Sequence, residues 1–271
     1  MAIIRLDAAT DGRLDVFCAL TNHQLRNSVD PARGIVVVES QIAIRVAVGQ
    51  GLEPVAFLLD ERRVKAMADV LDAIDDDVPV FVLPAKEAEK LTGYAVTRGA
   101  LCAMRRPVAP TLGELLDGAR NVVVLESITD TSNVGAIFRN AAALGADAVI
   151  AAPTCADPLA RRSVRVSMGN VFMVPWLRMG MTGTWVQELM EALAKRGFVR
   201  MAMALGEESV SIDSVDKLAG ERRALFFGSE GSGLSEEVLR GCDLSVIIPM
   251  RRGVDSLNVA ASSAIAMWQL F

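Results

Sequence analysis

RALFFGSEGSGLSEEVLRG (residues 223–241) joins an apolar run, a glycine-rich turn and a helical stretch. The run RALFFGSE (223–230) has the apolar character of a strand that is buried on both faces, and LSEEVLRG (234–241) is typical of a helix. A strand, a turn and a helix form the repeating unit of an α/β sheet, in which ligands bind at the carboxyl ends of the strands. This stretch therefore predicts the fold class and a candidate ligand site.

The turn holds three glycines, Gly228, Gly231 and Gly233, around the single acidic residue Glu230. Glycine-rich turns often bind phosphate, but this turn lacks the G-K-[ST] sequence of a P-loop, and a carboxylate repels a phosphate. A glutamate among glycines suits a ligand that offers hydrogen-bond donors, such as an amine or ribose hydroxyls. The alternative is an ordinary glycine-rich turn in which Glu230 is exposed to solvent.

Strands and helices alternate along the chain in two sets, separated by the proline-containing stretch GALCAMRRPVAPTLGELLDGAR (99–120), which is typical of a linker. Predicted strands precede it at 34–40, 54–60 and 78–84, and follow it at 121–127, 147–153, 198–204, 223–230 and 244–250. We therefore predict an α/β fold with a small α/β domain at 1–108, a linker at 109–120 and a parallel-sheet domain at 121–271.

Bulk composition excludes several classes of protein. No run approaches the roughly 18 uncharged apolar residues that cross a bilayer, and the first residues lack the apolar run of a signal peptide, so we expect a cytoplasmic protein. The four cysteines are widely separated and His23 is the only histidine, which argues against a disulfide framework or a metal site. We expect His23 to be an ordinary surface or capping residue.

The net charge of −5 argues against a general polyanion binder, so any nucleic-acid contact depends on local basic clusters. The run RRSVR supplies Arg161, Arg162 and Arg165, and no acidic residue lies between Asp157 and the end of that run. The alternative for this cluster is an ordinary solvated surface.

Two further strand ends carry unusual polar residues. ESITDTSNVGAIFRNAAALGA (126–146) places Asn133 at a helix start and Arg139 six residues later, although a capped helix with an unrelated arginine has the same pattern. IPMRRGVDSLNVAASSA (248–264) places Ser256 and Asn258 before the last helix. Helix capping accounts for Ser256 but leaves Asn258 unexplained.

Together, NVGAIFRNAAALG, GSEGSGL and IPMRRGVDSLNVAASSA resemble the three ordered motifs of the SpoU (TrmH-like) family of RNA ribose 2′-O-methyltransferases, in the SPOUT class. The resemblance covers about residues 120–271. It implies a C-terminal trefoil-knot domain that binds S-adenosylmethionine. The first half is similar to the substrate-binding domain that often precedes this catalytic domain. Asn170 departs from the alanine found in many relatives, which affects the expected specificity.

The resemblance also implies a set of site residues, with no metal among the cofactors. The implied catalytic residues are Asn133, Arg139, Glu230, Ser256 and Asn258. The implied cofactor-binding residues are Leu205, Gly206, Gly228, Glu230, Gly231, Ile248, Met250, Ser256, Leu257 and Asn258. Arg139 is expected either to act as the general base, or to bind the 3′-phosphate and stabilise the alkoxide electrostatically. We expect Glu230 to hold the Arg139 side chain.

The implied partner is structured RNA, with ribosomal RNA favoured over transfer RNA, and we expect Arg161, Arg162 and Arg165 to contact it. We also expect a homodimer, because the chain is rich in apolar residues and the C-terminal helix carries Met267 and Trp268. Two alternatives stay open. A non-catalytic RNA-binding protein would need none of the implied catalytic residues, and a dinucleotide-dependent oxidoreductase would carry the G-x-G-x-x-G sequence that is missing here.

Overall fold

The computed structural model describes residues 3–18, 34–96, 98–206, 208–217, 222–251, 253, 254 and 256–271. Strands and helices alternate as the sequence predicts, and they divide into two units. One unit contains the described part of residues 1–108 together with Leu159–Phe172, and the other contains Ala109–Pro158 and Met173–Phe271. The prediction for His23 lies outside the described residues.

The first unit is built on a five-stranded mixed sheet. Its strands are β1 (Ile3–Arg5), β2 (Ile35–Glu39), β3 (Pro54–Leu59), β4 (Val80–Val82) and β5 (Ala100–Arg105), in the spatial order β1-β4-β3-β5-β2. β1, β4 and β3 run parallel, whereas β5 is antiparallel to both of its neighbours. Helices α1 (Gln41–Gly49), α2 (Glu61–Ala66), α3 (Ala68–Leu71) and α4 (Ala85–Thr92) connect these strands.

Strand β5 corrects one prediction, because it lies in the stretch 99–120 that the sequence assigns to a linker. Residues 100–104 are completely buried, and the strand pairs with β2 on one side and β3 on the other. The prolines at 107 and 110 follow the strand and do not interrupt its hydrogen bonding, so they mark the end of the strand.

The second unit is built on a seven-stranded sheet in which every pairing is parallel, as predicted. Its strands are β6 (Asn121–Leu125), β7 (Ala148–Ala151), β8 (Trp176–Arg178), β9 (Val199–Met203), β10 (Val210–Ser211), β11 (Arg223–Phe227) and β12 (Leu244–Ile247). They lie in the order β10-β12-β9-β11-β6-β7-β8. The central strands β6 and β11 are buried along 122–125 and 224–227, which explains their continuous apolar sequences.

The helices that follow β5 are α5 (Leu112–Leu116), α6 (Thr131–Ala143), α7 (Arg161–Val166), α8 (Trp185–Lys195), α9 (Glu236–Gly241) and α10 (Val259–Leu270). Helix α5 lies within the predicted linker 109–120. The Glu114 carboxylate accepts from the Thr111 amide at 2.8 Å, and the Glu114 amide donates to the Thr111 hydroxyl at 3.3 Å, which forms a capping box. Among the described residues, no helix has the length and apolar character needed to cross a membrane.

Helix α7 belongs to the first unit, although the sequence assigns all of 121–271 to the second. The helix packs against β2, and its Val164 is completely buried. Gly169 follows with φ of +86°, and a Cβ there would lie 3.0 Å from the Cα of Ala43 in α1. The chain therefore leaves the second sheet after β7, packs into the first unit, and returns at β8.

Helix α10 is apolar on two faces. Val259, Ala266, Met267 and Leu270 face the core, so Met267 does not belong to the exposed surface that the sequence predicts for it. The opposite face includes Ile265 and Trp268, which are 41% and 78% exposed.

Candidate active site

The ends of β9, β11 and β12, which are neighbours in the sheet, border a cavity of about 380 Å³. Parallel strands present their carboxyl ends at the same edge, so residues that are far apart in sequence meet there. Eight of the ten residues predicted to hold a cofactor line this cavity: Leu205, Gly228, Glu230, Gly231, Ile248, Met250, Ser256 and Leu257. Gly206 and Asn258 are not part of the lining.

The glycine-rich turn after β11 folds back on itself. The Ser229 amide donates to the Gly233 carbonyl at 3.2 Å, and the Gly233 amide donates to the Ser229 carbonyl at 3.0 Å. A Cβ at Gly228 would overlap the Gly233 carbonyl and the Leu234 amide, and Gly233 itself has φ of +68°. A Cβ at Gly231 would meet no atom within 4 Å. Gly228 and Gly233 are therefore required by the turn, whereas Gly231 is not.

Three side chains that are predicted to be catalytic form one hydrogen-bonded cluster, which we call the amide–carboxylate cluster: Asn133, Glu230 and Asn258. Glu230 Oε1 accepts from Asn133 Nδ2 at 3.0 Å and from Asn258 Nδ2 at 2.8 Å. Asn258 Nδ2 also lies 3.0 Å from Asn133 Oδ1. Residues from α6, the β11 turn and the start of α10 are thereby joined at one point.

The orientation of the Asn258 amide is fixed by helix α10. Its Oδ1 accepts from the Ala260 amide at 3.0 Å and from the Ala261 amide at 3.3 Å, so Asn258 is the N-cap of this helix. Because the oxygen caps the helix, the Nδ2 group must face Glu230. The cap of this helix is therefore Asn258 and not Ser256, which corrects the capping expected of Ser256 and explains an asparagine before an apolar helix.

Arg139 is not held by Glu230, which corrects that prediction. Both amides donate to Glu230 Oε1, and Glu230 Oε2 accepts no hydrogen bond from any described residue. Arg139 is exposed on α6 and makes no hydrogen bond or ion pair with the described part of the chain. The guanidinium and one carboxylate oxygen are therefore both available to a ligand.

Two supporting residues were not predicted. The Glu126 carboxylate, 6% exposed at the end of β6, accepts from the Ser235 amide at 2.8 Å and so anchors the end of the glycine-rich turn. Asn140 Nδ2 donates to the Ala260 carbonyl at 2.8 Å and to Ser263 Oγ at 3.0 Å, which joins α6 to α10. Glu126 directly follows a buried strand, and this position is a usable sequence signal. Asn140 has no comparable signal.

The described residues that line the cavity include no cysteine and no histidine, and Cys242 lies outside the lining. Burial raises the pKa of the Cys242 thiol to about 12, so this group stays protonated at neutral pH. Among the described residues, no group of histidine, cysteine, aspartate and glutamate side chains could hold a metal ion. The arrangement can bind a ligand through backbone groups and a carboxylate, and it can orient that ligand for a reaction with a second molecule.

The basic run lies on α7 in the first unit, and its three arginines differ. Arg161 Nη1 donates to Glu39 Oε2 at 2.8 Å, and Glu39 is only 1% exposed. Arg162 is exposed, and Arg165 Nη1 lies 4.0 Å from the same carboxylate oxygen. Arg161 thus pairs with a buried carboxylate, whereas Arg162 and Arg165 are exposed, and the RNA contact expected of all three stays a prediction.

The sequence profile of the SpoU rRNA Methylase family matches residues 120–268. An uncharacterized tRNA/rRNA methyltransferase of Mycobacterium bovis is 37% identical over 260 residues, which cover 96% of this chain and 88% of the relative. The 23S rRNA (guanosine-2′-O-)-methyltransferase RlmB of Bordetella pertussis is 32% identical over 192 residues, which cover 67% of this chain and 74% of the relative.

Solved structures share the fold over almost the whole chain. The AdoMet-bound rRNA methyltransferase from Sinorhizobium meliloti has a TM-score of 0.82 at 22% identity, with 98% of this chain and 97% of that chain covered. The SpoU methyltransferase AviRb from Streptomyces viridochromogenes, in complex with AdoMet, has a TM-score of 0.80 at 24% identity, with 96% and 97% covered. The α/β fold is thus that of SPOUT methyltransferases, while the knot stays a prediction. Since the family profile covers more than half of the chain and brackets the amide–carboxylate cluster, this protein belongs to the SpoU rRNA Methylase family.

Proposed function

We propose that this protein transfers a methyl group from S-adenosylmethionine to a ribose 2′-hydroxyl of structured RNA, with ribosomal RNA as the favoured substrate. The observation that carries the proposal is the amide–carboxylate cluster beside the glycine-rich turn and its cavity. Support for the reaction comes from the family and from the name of the Bordetella relative, a 23S rRNA (guanosine-2′-O-)-methyltransferase.

The cavity fits the proposed cofactor. Its volume of about 380 Å³ lies within the range of small-molecule sites, about 300–1,000 Å³. Leu205, Met250 and Leu257 provide apolar surface, and Gly228 lets the backbone of the turn approach closely. Glu230 Oε2 is an acceptor for a cofactor amine or ribose hydroxyl. When bound, S-adenosylmethionine supplies an electrophilic methyl group.

Asn133 and Asn258 keep the Glu230 carboxylate in place. Their amides donate to one of its oxygens and leave the other unoccupied by any described residue. A group that is already oriented before the ligand arrives does not lose this freedom on binding, which favours affinity. We therefore assign Asn133 and Asn258 to orientation of the cofactor-binding carboxylate, with Ser256 at the rim of the same cavity.

Arg139 is assigned to the RNA substrate. Its guanidinium is exposed and free of partners among the described residues, and its planar fork can bind a phosphate through two hydrogen bonds. A guanidinium stays protonated in proteins and is therefore a poor proton acceptor. We therefore favour a role in which Arg139 binds the 3′-phosphate and stabilises the developing alkoxide electrostatically over a role as general base.

We further propose a homodimer that uses the exposed face of α10. Leu257 is 39% exposed and lines the cavity, and Ile265 and Trp268 continue the apolar surface along the helix. A subunit that covered this face would therefore also cover the rim of the cavity. The large exposed indole of Trp268 is the kind of side chain that anchors interfaces.

The test is a methyl-transfer assay with purified protein and ribosomal RNA, followed by mapping of 2′-O-methylated positions, with and without a chelator. We expect methylation at a defined ribose that persists in chelator. Glu230→Gln should weaken cofactor binding measured by calorimetry, whereas Glu236→Gln on the exposed surface of α9 is the matched control. A wild-type protein that bound RNA but neither bound the cofactor nor transferred a methyl group would favour the non-catalytic alternative.

A further inference from the structure

We propose that Glu39 is a positioning residue for RNA binding. Through Arg161 it fixes helix α7, so that Arg162 and Arg165 form a phosphate-binding surface on the first unit. The inference rests on the proposed RNA-directed function and assigns it a surface and a supporting group that lie outside the cavity. All of the contacts involved belong to the first unit.

The carboxylate of Glu39 lies buried at the end of β2. Glu39 is 1% exposed, and its Oε1 has no hydrogen-bond partner among the described residues. A buried charge is tolerated when it is paired, because removal from water disfavours the ionised form. The charge on Glu39 is therefore compensated chiefly by Arg161 at 2.8 Å, with Arg165 more distant at 4.0 Å.

Arg161 is held on a second side by an aromatic ring. The carbon of its guanidinium lies 3.6 Å from the centre of the Tyr94 ring, a cation–π contact, and the side chain is 28% exposed. Contact with a carboxylate and a ring together defines both the position and the plane of the guanidinium. Arg161 thus connects α7 to the end of β2 and to Tyr94, which follows α4.

Helix α7 depends on such contacts for its position. It spans six residues, and its N-cap residue Ala160 provides no side-chain cap. Helices of this length are unstable alone in water, so their orientation comes from tertiary packing. One side of α7 is anchored by Arg161 and the buried Val164, which leaves Arg162 exposed and Arg165 with 45% of its side chain exposed.

The two exposed arginines have the chemistry of a phosphate-binding surface. Arg162 makes no ion pair with any described residue, and the carboxylate nearest to Arg165 already binds Arg161 at a much shorter distance. Two guanidinium groups that are three residues apart lie on one face of a helix. Such groups can contact neighbouring backbone phosphates, and each contact adds to the salt dependence of RNA binding.

The test compares RNA affinity at several salt concentrations for the full-length wild type and its variants, using a ribosomal RNA fragment. Arg162→Ala and Arg165→Ala should each reduce the slope of log affinity against log salt by roughly 0.7–0.9. Arg62→Ala is the control, because Arg62 is an exposed arginine of the same unit that pairs with Asp60, the N-cap residue of α2. Its slope should equal that of the wild type.

The positioning role is tested by combining substitutions. Glu39→Gln removes the charge but keeps the shape, and it should weaken RNA binding without changing cofactor affinity. In the Glu39→Gln background, the loss of RNA affinity caused by Arg162→Ala should be about fivefold smaller than the loss it causes in the wild type, because helix α7 is no longer fixed. Additive effects of the two substitutions would mean that Glu39 contributes only to stability, and would overturn the positioning role.

Other outcomes are equally informative. Tighter RNA binding by Glu39→Gln, with a steeper slope, would show that Arg161 is released to contact phosphate and would also overturn the inference. If Glu39→Gln does not fold, two substitutions of Tyr94 replace it: Tyr94→Leu removes the aromatic ring and Tyr94→Phe keeps it. The Tyr94→Leu protein should bind RNA more weakly than the Tyr94→Phe protein, and equal RNA affinities would refute the proposal. If the wild type shows no salt-dependent RNA binding, the proposed function itself is refuted. If the wild type binds RNA but Arg162→Ala and Arg165→Ala have the same slope of log affinity against log salt as the wild type, only this surface is refuted.

Discussion

Replacement of Gly228 by alanine tests whether the glycine-rich turn needs a bare backbone. A Cβ at this position would overlap the carbonyl of Gly233 and lie 2.5 Å from the amide nitrogen of Leu234. The three nearest atoms all belong to the backbone, so a rotation of a side chain cannot relieve these collisions. The turn would have to open between Ser229 and Gly233, where two backbone hydrogen bonds now close it.

The expected cost follows from that geometry. Overpacking of a well-packed site costs about 1–3 kcal/mol, and we expect the upper end because the collision involves backbone atoms. Since about 1.4 kcal/mol corresponds to a tenfold change in affinity, S-adenosylmethionine should bind roughly 100-fold more weakly. Displacement of the turn would also move Glu230 away from Asn133 and Asn258, so methyl transfer should fall with affinity.

The assay is calorimetric titration with S-adenosylmethionine, together with thermal unfolding. Gly183→Ala is the matched control, because Gly183 is not among the residues that line the cavity and its added methyl group would meet no atom within 4 Å. We expect its affinity to stay within about threefold of the wild type, since no overpacking cost arises. Wild-type affinity for Gly228→Ala, or an equal loss at both positions, would refute the assignment of the loss to a collision with Gly233.

Three further outcomes are expected. Arg139→Lys keeps the charge but loses the planar arrangement of hydrogen-bond donors, so the rate of single-turnover methylation should fall by about 100-fold or more. Cofactor affinity should stay near that of the wild type, and a wild-type methylation rate would refute the catalytic role of Arg139. Sedimentation should show a species larger than 29.0 kDa, and Trp268→Glu should convert it to a monomer, whereas a monomeric wild type at micromolar concentration would exclude the homodimer. Hydrogen bonds from the Arg200 side chain hold the pKa of Asp243 below its usual value. The Asp243 carboxylate therefore stabilises the folded state at pH values above the unfolded pKa of about 3.9. This stabilisation is lost as the pH falls through the pKa of Asp243 in the folded state. Asp243→Asn should therefore lower the melting temperature at pH 7 and have little effect near pH 2, and equal losses at both pH values would contradict this.

The sequence predicts the parallel sheet and much of the candidate site because both depend on local patterns. Buried parallel strands have continuous apolar sequences, as in 121–125 and 223–227, and polar residues at their carboxyl ends indicate a ligand site. Asn133, Glu230 and Asn258 were singled out in this way and meet in the structure. Their partners were not predictable, because a motif gives residue types but not the geometry that joins Glu230 to two amides.

The errors have a common physical origin in burial and long-range pairing. The run RRSVR is typical of an exposed basic surface, and only the fold brings Arg161 to Glu39, 122 residues away. Helix α10 is apolar on both faces, so periodicity could not place Met267 in the core and Trp268 in solvent. The capping box of Thr111 and Glu114, by contrast, was readable as T-x-x-E and would have predicted a helix within the linker.

The inclusion of Leu159–Phe172 in the first unit has a consequence for protein dissection and for recombination between relatives. A fragment that ended at residue 108 would lack Arg161 and would leave the carboxylate of Glu39 without its main counterion. An exchange of the N-terminal unit between two relatives would therefore have to transfer two separate gene segments, one for the sheet and one for the helix that closes it. A single crossover at the apparent domain boundary would combine a sheet from one parent with an α7 helix from the other, and such hybrids should fold only where both parents match at Glu39, Tyr94 and Arg161.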